Sequence, residues 1–581
     1  MRSRLIAGTL ALFVVIGAVI GFVRLGFNGL IPVTGGSGNL PTQTAVPNNP
    51  VAQENTKPGT IGWTIPLGHI ATTQIQAYAS ATSVAPGKQI QFFVSTQVDK
   101  TPFRIDIYRL GWYGGVGGRL MFSVSDLVSQ AQGYYDATVR PAKLVNCKTC
   151  TGNGSGTPVE ANWKSSYTLT VPQDWVTGVY LAKFTIMPGG PPAPPGPSGS
   201  PLPYAGMQTY APFDVLGNPN SDYVASTADT TSAAYNSWGS PADKSASLYD
   251  TAGSFAVDAS QTVASKKSVV VSFNKPYLEG SGASQVLLYE LQMIRFMEQR
   301  GYNVSYISSV DLHRNPEQLL RHKVYISMGH DEYWTREMRN GVEKARDSGV
   351  SLIFMGANTS YWQMRFSNND RWIWCYKVDS KYPPTDITYA NRLSIDPVYA
   401  TDPTNVTALF RDKGVGRPEN ALIGVMFSDL THKRLGYPWK VSSQAKTSLL
   451  KDTGLVPGQS YGCAVVGYEW DKADWPGYPA PAGLQIIGDS PTINQQGQND
   501  HSNTTYYVAA KGNLVFATGS IYWATALDDF RSYDQLNAFK TQGDIAARVC
   551  STGYKGVPGI EKLMENVMAA ALVKHTPGKP I

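Results

Sequence analysis

The sequence predicts an α/β chain with an added all-β part: an N-terminal membrane helix and a β-sandwich domain, followed by a doubly wound, mainly parallel three-layer α/β/α domain. Three observations lead to this fold class. A long uncharged run opens the chain, short alternating runs follow it, and in the second half buried runs alternate with helical patterns. Because one hydrophobic core stops growing near roughly 250 to 300 residues, a chain of 581 residues is expected to contain at least two domains.

The N-terminus has the composition of a membrane segment. Arg2 and Arg4 precede residues 5–23, an uncharged run close to the roughly 20 residues that a helix needs to cross a bilayer. No small-residue cleavage site is obvious, so residues 1–26 are interpreted as an uncleaved anchor with the body of the chain outside the cytoplasm. A cleaved signal segment and a secreted product are the alternative. Residues 27–59, rich in Pro, Thr and Gly, are interpreted as a flexible stalk.

Residues 60–217 have the pattern of a β-sandwich. Runs such as residues 89–94 and 103–108 alternate apolar with polar side chains, as is typical of antiparallel strands with one buried face. Cys147 and Cys150 fall in a Gly-rich loop of this domain. A local disulfide is preferred there over a zinc site, because no second Cys or His pair follows at metal-binding spacing. Since the chain has five cysteines, at least one is expected to be free.

Residues 218–581 have the pattern of an α/β domain. Buried runs such as residues 324–328 and 351–355 alternate with helical patterns such as residues 285–299. Repeated βα units predict a mainly parallel sheet with helices on both faces. An insertion near residues 367–452, rich in Tyr, Arg and Pro, is expected to carry long loops over one end of that sheet.

Ionisable and amide side chains follow several of these strands directly. His330 and Glu332 come after one strand, Asn358 after the next, and Glu469 after a later apolar run. Ligands bind outside the carboxyl ends of the strands of open α/β sheets, so these four side chains are expected to face one crevice. Each of them alone is more often a cap or a loop contact. Their recurrence at one end of one sheet favours a site.

Four motifs occur in order along the second half of the chain. They are Ala234-Tyr-Asn-x-Trp-Gly239, Ser247-Leu-Tyr249, Gly329-His-Asp-Glu-Tyr-Trp334 and Gly356-Ala-Asn-x-x-Tyr-Trp362. Together with Tyr108-Arg-Leu-Gly-Trp-Tyr-Gly-Gly115 in the β-domain, they resemble the large-subunit family of N,N-dimethylformamidase. The resemblance extends from the β-domain to the C-terminus, and the ordered set of motifs makes it specific.

The resemblance implies a metal site. In that family the amidase uses a mononuclear iron held by two tyrosines and one glutamate, and the matching positions are Tyr235, Tyr249 and Glu332. Two phenolates and a carboxylate are hard anionic oxygen donors that suit Fe(III) and leave coordination positions open. The resemblance therefore implies a ferric ion that acts as a Lewis acid.

The same resemblance implies a second set of residues around that metal: His330, Asn358 and Glu469. In this scheme Glu469 or His330 moves protons to the leaving amine, and Asn358 orients the substrate or steadies the developing oxyanion. The expected partner is a small amide-type molecule. Oligomerisation is left open.

The sequence thus predicts a membrane-anchored, dimethylformamidase-like metallo-hydrolase that cleaves an amide-type C–N bond. The alternative is a non-catalytic cell-surface protein that binds a glycan or a partner through its β-sandwich and its aromatic loops, which the plentiful Tyr and Trp residues would supply. A serine or cysteine hydrolase is disfavoured, because no Gly-x-Ser-x-Gly or Gly-x-Cys-x-Gly motif links a strand to a helix. Nucleic acid is not an expected partner, since a net charge of +6 is small for this length and no basic stripe is present.

Overall fold

The computed structural model of the chain describes residues 48–66, 68–139, 141–192, 204–240, 246–249, 267–377, 393–431, 436–530 and 555–581. The segment interpreted as a membrane anchor lies outside these ranges, and within them no helix is both long and apolar enough to cross a bilayer. The described chain is a mixed α/β protein with several sheets. This confirms the predicted fold class at that level, whereas the predicted domain boundaries stay a prediction.

Two sheets packed face to face form the first part of the chain. Its strands are β1 (Ile75–Ala79), β2 (Ser83–Val84), β3 (Gln89–Thr96), β4 (Pro102–Leu110), β5 (Gly118–Val128), β6 (Tyr134–Asp136), β7 (Lys143–Val145), β8 (Tyr167–Thr170), β9 (Gly178–Ile186) and β10 (Gln208–Val215). One sheet has the order β1-β3-β8 and the other the order β2-β10-β9-β4-β5, whereas β6 and β7 pair only with each other. Phe92, Ile105 and Phe184 belong to the apolar core between them.

The second part of the chain alternates strands with helices. Its strands are β11 (Tyr223–Thr227), β12 (Val270–Ser272), β13 (Val304–Ser308), β14 (Val324–Ser327), β15 (Tyr333–Thr335), β16 (Ser351–Phe354), β17 (Trp362–Ser367), β18 (Trp372–Trp374), β19 (Met426–Leu430), β20 (Tyr437–Lys440), β21 (Ser460–Val466), β22 (Glu469–Lys472), β23 (Gln485–Ile493), β24 (Asn499–Val508) and β25 (Leu514–Ala517). The α-helices of the described chain are α1 (Pro50–Asn55), α2 (Asp229–Tyr235), α3 (Leu291–Gln299), α4 (Ser309–Arg314), α5 (Arg336–Ser348), α6 (Asn420–Ile423) and α7 (Pro558–Ala571).

A seven-stranded sheet with the order β13-β11-β14-β16-β25-β24-β23 forms the centre of this part. The strands from β13 to β25 are parallel, and β24 and β23 continue the sheet in antiparallel pairing. Successive residues of a strand point to opposite faces. Accordingly, Tyr223 and Ala225 of β11 share a core with α3 and α7, whereas Val224 shares a core with α2 and α5. Helices therefore cover both faces.

β9 is buried at all nine of its positions, although its sequence pattern predicts a strand with only one buried face. Ala182 and Phe184 belong to the core between the first two sheets. Val179 and Leu181 belong to the core that contains α3. The outer face of this sheet is buried because the second part of the chain packs against it.

Residues at the end of the segment interpreted as a flexible stalk are folded. The side chain of Asn49 accepts a hydrogen bond from the Ala52 amide and caps α1, and Pro50 stands at its first position. Asn55 is buried and donates a hydrogen bond to Glu298 of α3 at 2.7 Å. The chain therefore docks from residue 48 onward, which differs from the interpretation of a flexible segment up to residue 59.

The cysteines follow the expectations from the sequence where the structure describes them. Cys147 and Cys150 form the predicted local disulfide. Cys375 is free and buried, as the odd number of cysteines requires of at least one residue. Cys463 is disulfide-bonded.

Candidate active site

The loops after two neighbouring parallel strands carry three of the predicted site residues. His330 and Glu332 follow β14, and Asn358 follows β16, which pairs with β14 in parallel. The two loops touch through their backbones, since a Cβ atom added at Gly356 would lie 2.0 Å from the carbonyl oxygen of Gly329. Only glycine permits so close an approach. The two strand ends therefore bring these side chains together, as the sequence pattern predicts.

Glu469 reaches the same place by a route that differs from the prediction. The apolar run before it belongs to β21, which pairs antiparallel with β20 and is not a strand of the seven-stranded sheet. Glu469 begins β22, which pairs antiparallel with β19. The expectation of a further parallel strand is wrong, because an apolar run does not specify its pairing partner. The carboxylate nevertheless lies 3.3 Å from Nε2 of His330.

The three residues predicted as metal ligands converge on one point. Tyr235, the last residue of α2, donates from its hydroxyl to Oε2 of Glu332 at 2.8 Å. The hydroxyl of Tyr249 lies 3.0 Å from each of the two Glu332 carboxylate oxygens. The two phenol rings stack with their centroids 4.2 Å apart. Two phenols and one carboxylate thus share a single small volume.

The other three predicted residues adjoin that volume. Nε2 of His330 lies 3.4 Å from Oε2 of Glu332 and 3.3 Å from Oε2 of Glu469. The side-chain amide of Asn358 donates to Oε2 of Glu469 at 3.0 Å. Its Oδ1 atom is buried and accepts no hydrogen bond from the residues that the structure describes. All six predicted residues therefore form one continuous polar cluster, which we call the Glu332 cluster.

Burial and mutual repulsion set the electrostatics of the Glu332 cluster. Burial raises the pKa of Glu332, and His330 opposes that rise in part. Burial raises the pKa of Tyr235 and of Tyr249, and the Glu332 carboxylate raises both further. Burial lowers the pKa of His330, but the Glu469 and Glu332 carboxylates outweigh it, so that its pKa is raised. The cluster contains many acidic oxygen atoms, an environment that favours a cation.

Three further side chains of the site were not predicted from the sequence. The hydroxyl of Tyr333 lies 2.7 Å from that of Tyr249. The hydroxyl of Tyr468 lies 3.5 Å from Nδ1 of His330. The ammonium group of Lys377 lies 3.4 Å from the centroid of the Tyr249 ring. Tyr333 and Tyr468 are direct sequence neighbours of predicted residues, which is a usable signal, whereas Lys377 stands beyond β18 and has none.

The donor set fits a ferric ion. Tyr235, Tyr249 and Glu332 offer oxygen atoms that lie within hydrogen-bond distance of each other, and hard anionic oxygen donors are those that Fe(III) prefers. Within the described ranges, no group of three or more His, Cys, Asp and Glu residues is arranged to hold a metal ion. The set of Tyr235, Tyr249 and Glu332 contains only one residue of those four types. The Oδ1 atom of Asn358, unpartnered among the described residues, is a further buried acceptor beside it.

Known proteins similar to this chain point to one family. The family described as "N,N-dimethylformamidase beta subunit-like, C-terminal" matches residues 104–537. The N,N-dimethylformamidase beta subunits of Alcaligenes sp and of Paracoccus aminophilus are each 22% identical to this chain, over 46% of this chain and 37% of the relative. The match thus spans well under half the length of these curated relatives.

Among solved structures, an alkylpurine DNA glycosylase of Pseudomonas fluorescens bound to DNA shows 11% identity and a TM-score of 0.12 over 25% of this chain and 30% of that one. A likeness this weak carries no argument about fold or function. The family match, in contrast, covers more than half of the chain and all of its ordered motifs. The chain belongs to the N,N-dimethylformamidase beta subunit-like family, which confirms the resemblance that its motifs indicate.

Proposed function

We propose that this chain is a hydrolase that cleaves the C–N bond of a small amide. The observation that carries the proposal is the convergence of Tyr235, Tyr249 and Glu332 with His330 and Glu469 within one buried cluster. Buried acids, a histidine and an amide in mutual hydrogen-bond range are a costly arrangement for a scaffold and a common one for catalysis. Dimethylformamide is the first substrate to test, because the similar proteins are N,N-dimethylformamidase subunits.

The metal of this proposal is a mononuclear Fe(III). Tyr235, Tyr249 and Glu332 would hold it through two phenolates and a carboxylate. When bound, the ion supplies Lewis acidity to an amide carbonyl and to a water molecule. The support from this chain is the shared position of the three oxygen donors.

The proton transfers of amide hydrolysis are assigned to His330 and Glu469. A water molecule that attacks an amide carbonyl must lose a proton, and the leaving amine must gain one. The Glu469 carboxylate and the His330 imidazole lie 3.3 Å apart, so a proton accepted by one side chain can pass to the other. In this proposal Glu469 accepts the proton of the attacking water and His330 delivers a proton to the departing nitrogen.

Asn358 completes the proposed site as the residue that orients the substrate. Its side-chain nitrogen holds Glu469 at 3.0 Å, and its backbone amide donates to Asp471 at 2.8 Å. These two bonds fix the side chain and leave Oδ1 without a partner among the described residues. An ordered water would satisfy that oxygen and link it to a substrate such as dimethylformamide, which has no hydrogen-bond donor of its own.

The proposed substrate is small because five of the six residues of the Glu332 cluster are buried. Tyr235, His330, Glu332, Asn358 and Glu469 are all buried. The rings of Tyr289 and Tyr468 stand at a steep angle to the His330 ring, with centroids 6.4 Å and 6.0 Å from its centroid. A buried site with aromatic walls suits a compact amide better than a peptide or a polymer.

The test is hydrolysis of N,N-dimethylformamide by the full-length protein supplied with iron, followed as release of dimethylamine. We expect turnover by the wild type and a loss of about 100-fold to 10,000-fold in kcat for Glu469→Gln, since general acid–base groups contribute on that scale. Tyr180→Phe, which removes a buried hydroxyl of β9 in the core between the first two sheets, is the control and should retain activity. Absence of turnover of this amide and of other small amides by iron-loaded wild type would contradict the proposal.

We also propose that the chain is held in a membrane by residues 5–23, with the described part outside the cytoplasm. The support is the uncharged run itself and the disulfide between Cys147 and Cys150, which is the kind of bond that persists in oxidising compartments. Fractionation of expressing cells tests this directly. Recovery of the chain in the membrane fraction is expected, and recovery in the cytoplasmic fraction with Cys147 and Cys150 reduced would contradict it.

A further inference from the structure

Lys275 is a fully buried lysine beside the two segments that carry the tyrosines of the Glu332 cluster. Its ammonium nitrogen donates to the carbonyl oxygen of Asn236 at 3.0 Å and to that of Ala246 at 2.6 Å. Asn236 directly follows Tyr235, and Ala246 stands three residues before Tyr249. One side chain therefore joins the two backbones that present the phenols.

The burial of this ammonium group is costly. Burial lowers the pKa of Lys275 to about 7, and the Glu160 carboxylate offsets that effect only in part. An apolar side chain of the same length would avoid the cost, since well-packed apolar residues often replace buried charges without loss of stability. What such a side chain could not supply is the pair of hydrogen bonds to the two carbonyl groups.

Two further hydrogen bonds of the described residues join the two segments directly. The amide of Leu248 donates to the carbonyl oxygen of Ala234 at 2.9 Å. The amide of Ala246 donates to the hydroxyl of Ser240 at 2.9 Å. Lys275 adds a connection from outside, because it follows β12 and is anchored by a different part of the chain. Its position thus fixes the pair of segments relative to the scaffold.

We propose that Lys275 is a positioning residue that sets the placement of Tyr235 and Tyr249 so that both hydroxyls face Glu332. This inference rests on the proposed metal site. The hydroxyls reach the carboxylate at 2.8 Å and 3.0 Å, and hydrogen-bond and metal–ligand geometries tolerate little displacement. A shift of about 1 Å in either segment would separate one phenol from the shared point.

The test compares Lys275→Met with Lys183→Met in the full-length protein. Lys183 of β9 is a matched control, because it is also buried, its pKa is lowered by burial to about 8, and its ammonium group also donates to a backbone carbonyl, that of Gly62. Iron affinity is measured by titration with ferric ion while the visible phenolate-to-iron absorption is followed. Amide hydrogen exchange of Ala246 and Leu248 is measured on metal-free protein.

For Lys275→Met we expect iron affinity to fall by about 10-fold to 100-fold, the usual loss when a residue that orients metal ligands is removed. We also expect faster exchange at Ala246 and Leu248, and Lys183→Met should match the wild type in both measurements. Unchanged affinity and exchange in Lys275→Met, or equal losses in both variants, would overturn the inference. Should Lys275→Met not fold, Lys275→Arg keeps N–H donors and is expected to bind iron more weakly than the wild type.

The two measurements separate this inference from the function on which it rests. A wild type that binds no iron contradicts the proposed metal site, and the exchange data then decide on Lys275 alone. In that case faster exchange of Ala246 and Leu248 in Lys275→Met, with no change in Lys183→Met, supports the positioning role. Unchanged exchange overturns it.

Discussion

Two buried polar clusters in this chain use similar side chains in different proportions. Around Arg109, the guanidinium group donates to both carboxylate oxygens of Glu298 at 2.8 Å and to the carbonyl oxygen of Thr177. Glu298 also accepts from Asn55 and Tyr306 at 2.7 Å and 3.0 Å. One full positive charge meets one full negative charge, and each side chain has several partners.

In the Glu332 cluster, acidic side chains outnumber basic ones. Two carboxylates and two phenols of this cluster surround one histidine, and Oδ1 of Asn358 has no partner among the described residues. Lys377 approaches from the edge, over the ring of Tyr249. The cluster thus combines two carboxylates with a buried acceptor that has no partner among the described residues.

The difference between the clusters separates a structural role from a chemical one. The Arg109 cluster joins β4 to α3 and thereby fastens the first part of the chain to the second. The charged groups of this pair have their hydrogen-bond partners within the protein, so no ligand is needed to balance them. The Glu332 cluster keeps acceptors and acids that an ion and a substrate would complete, which is the pattern expected of a site.

The largest effect on stability is expected for Arg109→Ala. It leaves the Glu298 carboxylate buried without its counter-charge, and breaking such a pair from one side costs about 3–5 kcal/mol. Denaturant unfolding of wild type and variant measures the loss. A loss below about 1 kcal/mol, the range of exposed pairs, would show that the Arg109 cluster is not the fastening that the geometry indicates.

Glu332→Gln is expected to have the opposite effect: a large loss of turnover with little loss of stability. The amide keeps the size of the side chain but removes the charge that the two phenols face, so turnover should fall by at least about 100-fold. The free energy of unfolding should change by less than about 1 kcal/mol, because a neutral group there relieves repulsion with Glu469. Kinetics and denaturant unfolding of the same preparation check both values. A large loss of stability with turnover retained would remove the distinction between the clusters.

A smaller effect is expected from the carboxyl pair formed by Asp214 and Asp229. The hydroxyl of Thr227 lies 2.7 Å from Asp229 and 2.8 Å from Asp214. Burial raises the pKa of Asp229 from its ordinary 3.8 to about 6, so the folded state binds more protons than the unfolded state between these values. The free energy of unfolding therefore falls as pH rises through that window, by roughly 1 kcal/mol between pH 5 and 7.

Asp229→Asn removes the titrating group and should lessen this fall. Denaturant unfolding of wild type and Asp229→Asn at pH 5 and at pH 7 measures it. The advantage of the variant over the wild type should be greater at pH 7 than at pH 5. An equal difference at both values would show that the Asp229 carboxyl does not carry the dependence.

The smallest effect is expected for Arg300→Ala. Arg300 lies near the surface and forms ion pairs with Glu561 and Glu565 of α7, each at 2.8 Å. Pairs open to water contribute about 0.2–1 kcal/mol. Denaturant unfolding should therefore give a loss several times smaller than that of Arg109→Ala. Equal losses would mean that burial is not what distinguishes the two arginines.

Local patterns predicted most of the elements that carry the site. Residues 324–328 and 351–355 are mainly apolar runs, which are typical of buried parallel strands, so the sequence predicts β14, β16 and the loops after them. Glu469 lies in the predicted cluster although the run before it is not a parallel strand of the central sheet. That run belongs to β21, which pairs with β20. Only the family resemblance points to Tyr235 and Tyr249, because no periodicity distinguishes them from other buried tyrosines.

Features that depend on contacts between distant parts of the sequence could not be predicted from local patterns. The outer face of β9 is buried by a part of the chain that lies far away in sequence, and an alternating pattern contains no record of such a neighbour. The same holds for Arg109, whose partner Glu298 stands 189 positions later. Lys377 and Lys275 reach their sites from irregular segments after strands. Such positions depend on the tertiary fold and have no local signature.

The measurement that tests the central claim most directly is the iron content and visible spectrum of full-length protein expressed with iron, for wild type, Tyr249→Phe and the control Tyr180→Phe. If Tyr235, Tyr249 and Glu332 hold the metal, wild type and Tyr180→Phe will contain one iron per chain and absorb visible light through phenolate-to-iron charge transfer, and Tyr249→Phe will shift or lose that band. An iron-free wild type, or a band that Tyr249→Phe leaves unchanged, would contradict the account.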